Sequence, residues 1–164
     1  MKTAAEEAIR STASENTYYT DGSVDPEALA TAAALAAQGF KGSWRLSNNA
    51  SILQAELMAI LKALENSNLE EGHTTVHTDS KGAILAIKAT NPKENVTMIT
   101  AIKSVAKSHQ AAGRRVILNW IPSHVGIQGN EAADILAKSA LSCSTIIQLR
   151  AAPGARARAS TKLA

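Results

Sequence analysis

The chain of 164 residues is 45% hydrophobic, which suits one domain with a single core, and its longest apolar stretch (28–37) is too short to span a membrane. Its single cysteine, Cys143, excludes an internal disulfide and a cysteine-based zinc site, and we expect a buried or half-buried thiol. The net charge of +3 comes from residues 150–164, which hold four bases and no acid. The rest of the chain has 13 bases against 14 acids. A nearly neutral body excludes a broad positive field over the surface of the domain.

The pattern of residues 1–48 predicts a polar N-terminal segment, the lead-in, followed by strands. Residues 1–15 favour helix but lack an apolar face and a hydrophobic signal region, so we expect a loosely ordered or helical lead-in of an intracellular protein, in the cytoplasm or nucleus. Residues 16–20, rich in Thr and Tyr, predict a strand that ends at Asp21. In 25–39 the alanine run favours helix, yet small residues also suit a buried strand beneath a closely packed helix. Residues 40–48 alternate and predict another strand.

A helix at 51–66 is the clearest element of the pattern. Ser51 can cap this helix, and apolar residues recur along it with the helical period. Glu56 lies one turn from members of the apolar stripe, which aims its carboxylate away from open solvent. A carboxylate in that position is costly without a partner, so the sequence predicts one for Glu56.

The second half predicts two further strands and three helices. In chain order they are a strand at 74–78, a short helix through 83–87, a helix at 95–112, a strand at 115–121 and a helix that begins at Asn130. Asp79 directly follows the first of these strands, Asn95 is the expected cap of the second helix, and a loop at 122–129 carries His124. Beyond residue 144 the periodicity is lost, so 145–164 predicts a basic, disordered tail.

Four acids and one histidine stand out as candidate functional residues: Asp21, Glu56, Asp79, His124 and Asp134. Each has an ordinary interpretation when taken alone. A strand-end aspartate most often forms a turn, Asp134 could complement the positive end of the last helix, and His124 could be a surface histidine. Clustered carboxylates repel one another, however, and are tolerated mainly when a divalent cation neutralises them. Hard oxygen ligands suit Mg²⁺ or Mn²⁺ and do not suit zinc.

Four short motifs carry these five side chains. They are Tyr-Thr-Asp-Gly-Ser at 19–23, Gln-Ala-Glu-Leu at 54–57, Thr-Asp-Ser at 78–80 and Ser-His-Val-Gly-Ile-Gln-Gly-Asn-Glu-Ala-Ala-Asp at 123–134. In this order the motifs resemble the type 1 ribonuclease H family, over residues 17–141. The stretch 120–134 is most similar to the ribonuclease H domains of non-LTR retrotransposon polyproteins, which suggests a reverse transcriptase domain in a parent polyprotein.

The resemblance implies an α/β, ribonuclease H-like fold with a five-stranded mixed sheet, in which three antiparallel strands precede parallel strands and helices flank the sheet. The domain would cover 16–144 and be a monomer. In this fold the four acids converge and hold two Mg²⁺ ions, with Mn²⁺ as a substitute. Asp21 bridges the ions, Glu56 and Asp79 complete one side, and Asp134 holds the other. His124 assists proton transfer or product departure.

The same resemblance implies an endoribonuclease that hydrolyses the RNA strand of RNA/DNA hybrids and leaves 5′-phosphate and 3′-hydroxyl ends. Recognition of the RNA strand requires contact with its 2′-hydroxyl groups. The expected substrate contacts are Gly22, Ser23, Gln54, Ser80 and Asn130. Two other functions stay open, namely a non-catalytic nucleic-acid-binding module and a DNA-cutting nuclease of the same superfold.

The chain departs from the family pattern at two places. Ile52 and Leu53 stand where cellular relatives often place polar amides. The Lys- and Trp-rich insertion that grips the hybrid in bacterial and vertebrate relatives is missing between 95 and 115. Its nearest substitutes are Lys103, Lys107, Arg114 and Arg115. These bases could equally form a solvated helix face, and we therefore expect weak hybrid binding by the isolated domain.

Overall fold

Residues 1–68 and 70–149 are the part of the chain that the computed structural model describes. In chain order the elements are α1 (Lys2–Ser11), β1 (Asn16–Asp25), β2 (Ala30–Ala37), β3 (Phe40–Leu46), α2 (Ile52–Ser67), β4 (Thr74–Thr78), α3 (Lys81–Lys88), α4 (Val96–Ala111), β5 (Val116–Trp120), α5 (Gln128–Ala140) and β6 (Ile146–Ile147). None of the described helices is both long enough and apolar enough to cross a membrane.

One mixed sheet contains these strands in the order β5-β4-β1-β2-β3-β6. β1, β2 and β3 are antiparallel neighbours, whereas β4 runs parallel to β1 and β5 runs parallel to β4. The predicted mixed α/β sheet with flanking helices is confirmed, but it has six strands and not five. The additional strand, β6, pairs with β3 within the segment predicted as a tail. It is two residues long, so no periodicity could indicate it. The rest of that segment, 150–164, lies outside the described residues.

The alanine run forms strand β2, which is buried on both faces. Ala33 and Leu35 belong to the main core on one face, so strand alternation places Ala34 on the other face, where α5 packs. α5 contributes Ala133 and Ala137 to this contact side, and both are fully buried. Because methyl groups are small, helix and sheet approach closely, and this packing overrides the local helix propensity of alanine.

The main core lies between the sheet and helices α2 and α4. Its largest buried side chains are Leu35, Leu46, Leu57, Ile60, Leu64, Val76, Ile99 and Ile102. α2 begins with the predicted Ser51 cap, which forms a reciprocal capping box with Gln54. Near its other end, Ser67 Oγ lies 2.9 Å from Nε2 of His109 on α4. α2 is therefore fixed at both ends, and Glu56 is carried on a rigid element.

A smaller core lies on the opposite face of the sheet and involves the lead-in segment. This segment forms helix α1, whose Ala5 is buried together with Ile121 and Ile127. Ile9 and Tyr19 pack against them. α1 thus has an apolar face after all, but the face is made of so few residues that the helical period does not reveal it.

Two local predictions are wrong, and a third is right in position only. β1 continues past Asp21 to Asp25, because its hairpin with β2 stays paired that far, so Asp21 lies within a strand and not at its end. Asn95 is the N-cap residue of α4 as predicted, but its backbone is left-handed (φ 52°) and its side chain makes no capping bond. Its Oδ1 instead accepts a hydrogen bond of 3.2 Å from Gln54 Nε2. Cys143 is exposed, since the chain has left α5 at that point.

Two of the four bases considered as a hybrid grip are tied into the fold. Lys103 Nζ donates to the Ala89 carbonyl oxygen over 2.8 Å. The Arg114 guanidinium donates to two carbonyl oxygens at and just beyond the C-terminal end of α2. Lys107 and Arg115 are exposed on the surface. Lys103 and Arg114 therefore have a structural role, as hydrogen-bond donors to the backbone of other segments.

Candidate active site

The register between β1 and β4 brings two aspartates together. The strands are parallel, and Thr20 lies opposite Thr78 where their pairing ends. The residues that follow, Asp21 and Asp79, are therefore neighbours at this edge of the sheet. Asp21 is buried and Asp79 is half-buried. A pair of adjacent carboxylates is thus a direct product of strand register.

Glu56 reaches the same place from helix α2. Its side chain is buried, and its Oε1 accepts a hydrogen bond of 3.1 Å from the Gly22 N–H. A Cβ on Gly22 would stand 2.9 Å from Ala55 Cβ and 3.2 Å from the Glu56 backbone nitrogen. Strand and helix can approach this closely because residue 22 is glycine.

The three carboxylates form a compact group that fits a divalent cation. Ligand oxygens of Asp21, Glu56 and Asp79 all lie within 4.8 Å of one another. The second Glu56 oxygen, Oε2, is buried and has no hydrogen-bond partner among the described residues. Hard oxygen donors are the ligands that Mg²⁺ and Mn²⁺ prefer, and a cation would neutralise the repulsion within the group. A divalent cation shared with the two aspartates would supply the partner that the sequence predicts for Glu56.

The electrostatics of the group agree with this interpretation. Burial raises the pKa of Asp21 to about 7, and the charges of Asp79 and Asp134 add to the rise. Burial likewise raises the pKa of Glu56 to about 8, with further contributions from Asp21 and Asp79. The pKa of Asp79 is also raised, mainly by burial. Without a cation, protons would replace part of the missing positive charge near neutral pH.

Asp134 stands beside the compact group. It lies on α5, and its charge and hydrogen bonding raise the pKa of Asp21, which shows that the two carboxyl groups are close. Its Oδ2 accepts a hydrogen bond of 2.8 Å from Lys138 Nζ, one turn along the helix. Asp134 is thus near Asp21 but paired with a lysine, unlike the three acids of the compact group.

His124 is placed near Asp79 on an exposed loop. Its charge lowers the pKa of Asp79, although burial dominates the net shift of that group. The His124 backbone is left-handed (φ 55°), as is that of Gly126 (φ 78°). The side chain is open to solvent.

Of the five expected substrate contacts, four make hydrogen bonds within the protein. Gly22 holds Glu56, and Gln54 closes the α2 capping box and binds Asn95. Ser80 caps α3, because its Oγ accepts a hydrogen bond of 3.1 Å from the Ala83 N–H. Asn130 Nδ2 donates to Asp79 Oδ2 over 3.4 Å, and its own Oδ1 is buried without a partner among the described residues. Ser23 is partly exposed on β1.

Three side chains near the site, Trp120, Lys81 and Lys138, were missed by the sequence reasoning. Trp120 Nε1 donates to the Asp79 carbonyl oxygen over 3.1 Å, and Lys81 Nζ lies 4.3 Å from the centre of the Trp120 ring. The strand-end position of Trp120, directly before the His124 loop, was a usable signal. Lys138 was also detectable, because it follows Asp134 at the i,i+4 spacing of helical ion pairs.

One comparison with known proteins connects this geometry to a family. The family model described as RNase H matches residues 13–142, which include all five candidate residues. The chain belongs to the RNase H family. Membership places it among nucleases of the hydrolase class, and the acid group fits the divalent metal that such enzymes use. The matched residues of the RNase H domain begin after α1 and end before β6.

Proposed function

We propose that the chain is an endoribonuclease that hydrolyses the RNA strand of RNA/DNA hybrids and leaves 5′-phosphate and 3′-hydroxyl ends. The observation that carries the proposal is the convergence of Asp21, Glu56 and Asp79 within 4.8 Å on an RNase H scaffold. Three adjacent carboxylates, two of them buried, would destabilise a module that merely binds nucleic acid, because each raises the electrostatic cost of ionising the others.

The residues that would hold two divalent ions are Asp21, Glu56, Asp79 and Asp134. The chemistry that two bound Mg²⁺ ions supply, or Mn²⁺ in their place, is activation of a water and stabilisation of the leaving 3′ oxygen. Asp21 is central to the set, since it belongs to the compact group and is also the member on which Asp134 acts electrostatically. Lys138 Nζ donates to Asp134 Oδ2, so Asp134 would offer a cation its other carboxylate oxygen, Oδ1.

The protein's own groups orient this set. The Gly22 N–H fixes one Glu56 oxygen, which leaves Oε2 as the free ligand atom. Asn130 and Trp120 constrain Asp79 through its side chain and its backbone respectively. His124 is exposed and close to Asp79, so it can take up or release the proton that accompanies hydrolysis and product departure. We expect loss of His124 to slow the reaction less than loss of Asp21.

Substrate recognition is proposed for Gly22, Ser23, Gln54, Ser80 and Asn130. Ser23 lies next to the acid group on β1 and is partly exposed, so its hydroxyl can reach a 2′-hydroxyl. Ser80 and Gln54 keep hydrogen-bonding capacity beyond the bonds they make within the protein. With two of the four candidate bases tied into the fold, we propose weak binding of the hybrid by the isolated domain. A submicromolar dissociation constant at physiological salt, in a variant truncated before residue 150, would contradict this.

Cleavage of three labelled duplexes tests the function. RNA/DNA hybrid, double-stranded RNA and double-stranded DNA are incubated with the protein in Mg²⁺ or EDTA, beside Asp79→Asn. Asp25→Asn is the matched control, because it makes the same chemical change in a turn-forming residue of β1 outside the acid group. Cleavage restricted to the hybrid, and lost with EDTA or Asp79→Asn but kept with Asp25→Asn, supports the proposal. Binding without cleavage would favour a non-catalytic module, and DNA cleavage a different nuclease of the superfold.

We also propose that residues 16–144 form the ribonuclease H domain and that the protein is a monomer. We propose further that the chain derives from a polyprotein with a reverse transcriptase domain. The retrotransposon-like stretch 120–134 supports the origin. Light scattering coupled to size-exclusion chromatography tests the monomer directly, and a dimer at micromolar concentration would overturn it.

A further inference from the structure

Helix α1 lies outside the residues that match the RNase H family, yet it is packed beside the His124 loop. We infer that α1 is a positioning element for this loop (Pro122–Ile127), with Ile9 as its principal positioning residue. The inference rests on the proposed function, in which His124 assists the reaction.

Both ends of the His124 loop are anchored in the small core that α1 completes. Ile121, which precedes the loop, is fully buried, and Ile127, at its end, is 6% exposed. Ala5 of α1 belongs to the same buried cluster, and Ile9 packs against it. Val125, inside the loop, packs against the cluster as well. Without α1, the apolar anchors at both ends of the loop would face water.

The loop conformation requires such support. His124 has φ 55° and Gly126 has φ 78°, so two left-handed residues stand within three positions. A left-handed backbone is unfavourable for a residue with a side chain and persists when its surroundings enforce it. The N-terminal end of α1 reaches the loop itself, since Lys2 Nζ lies 3.4 Å from the point where a Cβ on Gly126 would stand.

The other end of α1 is attached to the strand that leads to Asp79. The Thr75 hydroxyl on β4 donates to the Thr12 carbonyl oxygen over 2.6 Å, and Ser14 Oγ lies 2.9 Å from the same hydroxyl. Thr75 is fully buried. α1 is therefore fixed to β4 at one end and to the His124 loop at the other. It sets the position of the loop relative to the strand that carries Asp79.

A double-mutant comparison tests this role. Ile9→Ala removes the contact, Ile9→Leu keeps its volume, and Glu7→Ala changes an exposed residue of the same helix. Each is measured in the wild-type and the His124→Ala background with RNA/DNA hybrid and Mg²⁺. We expect Ile9→Ala to lower kcat by several-fold with KM nearly unchanged, and Ile9→Leu and Glu7→Ala to leave kcat near the wild-type value. In the His124→Ala background, Ile9→Ala should cause no further fall in kcat.

Melting temperatures separate positioning from general loss of stability. Ile9→Ala should lower Tm equally in both backgrounds, whereas its effect on kcat should vanish when His124 is absent. An equal fall in kcat in both backgrounds, or no fall in either, would overturn the inference.

Hydrogen exchange distinguishes failure of this inference from failure of the proposed function. If the wild-type protein does not cleave the hybrid, the proposed function fails, but exchange at amides 123–127 still reports on the loop. Ile9→Ala should raise exchange there at least several-fold and leave β3 unchanged. Should Ile9→Ala not fold, Ile9→Val gives the same comparison with a smaller change. Unchanged exchange in the folded variant would refute positioning by α1 whatever the activity.

Discussion

The Gly22 N–H donates a hydrogen bond of 3.1 Å to Glu56 Oε1, so a strand residue fixes the carboxylate of a helix residue. The bond exists because residue 22 has no side chain to hold β1 and α2 apart. One Glu56 oxygen is thereby occupied and the other is left free for a cation. The glycine of the Tyr-Thr-Asp-Gly-Ser motif is thus part of the candidate metal site without being a candidate ligand.

Gly22→Ala should weaken metal binding and destabilise the protein. The new Cβ would meet Ala55 Cβ at 2.9 Å and the Glu56 backbone, so strand and helix must separate. We expect Mn²⁺ affinity to fall by about 10- to 100-fold, as for other residues that orient ligands, and the free energy of unfolding to fall by about 1–3 kcal/mol. Isothermal titration calorimetry and urea unfolding measure the two effects.

Gly82→Ala is the matched control for this change. The nearest atom to a Cβ on Gly82 is 3.9 Å away, and the residue lies in α3, where alanine stabilises helix by up to about 1 kcal/mol. It should therefore leave Mn²⁺ affinity unchanged. Equal affinities in Gly22→Ala and the wild type would show that the strand–helix contact does not orient Glu56.

The metal-free protein should lose stability as the pH rises from about 4 to about 8. In the folded state the pKa of Asp21 is raised to about 7 from 3.8, and that of Glu56 to about 8 from 4.5. Between these values the folded state holds protons that the unfolded state has released, so the free energy of unfolding decreases with pH. Urea unfolding in EDTA across this range measures the slope.

Mg²⁺ should reverse this slope, because deprotonated carboxylates bind the cation and protonated ones do not. The stabilisation by Mg²⁺ should therefore be largest near the alkaline end of the range. Asp21→Asn combined with Glu56→Gln removes the two groups with the largest pKa rises and should make the metal-free profile flatter, with the slope from Asp79 remaining. A free energy of unfolding that increases between about pH 5 and about pH 8 without metal would contradict the raised pKa values of the folded state.

The sequence patterns predicted the helix of Glu56 and the strand before Asp79 because both are local. The period of α2 and its Ser51 cap are visible within one segment, and the capping box confirms the start of that helix. By contrast, strand continuation beyond Asp21 depends on pairing with β2, up to the contact between Asp25 and Ala30. No local pattern contains that information.

Other features depend on distant contacts and could not be predicted. Ala5 is buried through contact with Ile121 and Ile127, more than a hundred residues along the chain. Asp134 could be predicted as an acid beside the site from its motif. Asp134 can be paired with Lys138 or with a cation, and the sequence does not decide between these two partners.

Lys138→Met should strengthen metal binding. The lysine occupies Asp134 Oδ2 at 2.8 Å and places a positive charge beside the acids, and both effects oppose a cation. The pair is exposed on the lysine side, so we expect a gain in Mn²⁺ affinity of less than about tenfold. Lys62→Met is the control, because Lys62 pairs with Glu65 on α2 at 3.5 Å, within one helix and outside the acid group. Weaker Mn²⁺ binding in Lys138→Met would mean that the lysine orients Asp134 for the metal.

Trp120→Phe should disturb Asp79 while keeping the aromatic ring under Lys81. The change removes the bond of 3.1 Å from the indole to the Asp79 carbonyl oxygen, a loss of about 1 kcal/mol in unfolding free energy. We expect Mn²⁺ affinity and hybrid cleavage to fall together, by about tenfold, because a residue that orients a ligand has been altered. Trp44→Phe, in the main core on β3, should lower stability without changing Mn²⁺ affinity. Equal Mn²⁺ affinities in both variants would remove Trp120 from the site.

The alanine contact between β2 and α5 has a consequence for the position of Asp134. Ala34 lies opposite Asp21 in the hairpin, and α5, which packs on β2, carries Asp134. The small methyl groups of this contact therefore set the distance between Asp134 and the sheet. A single bulkier aliphatic residue at Ala34 should push α5 outward and move Asp134 away from the compact group, with every charged residue still in its original position in the chain.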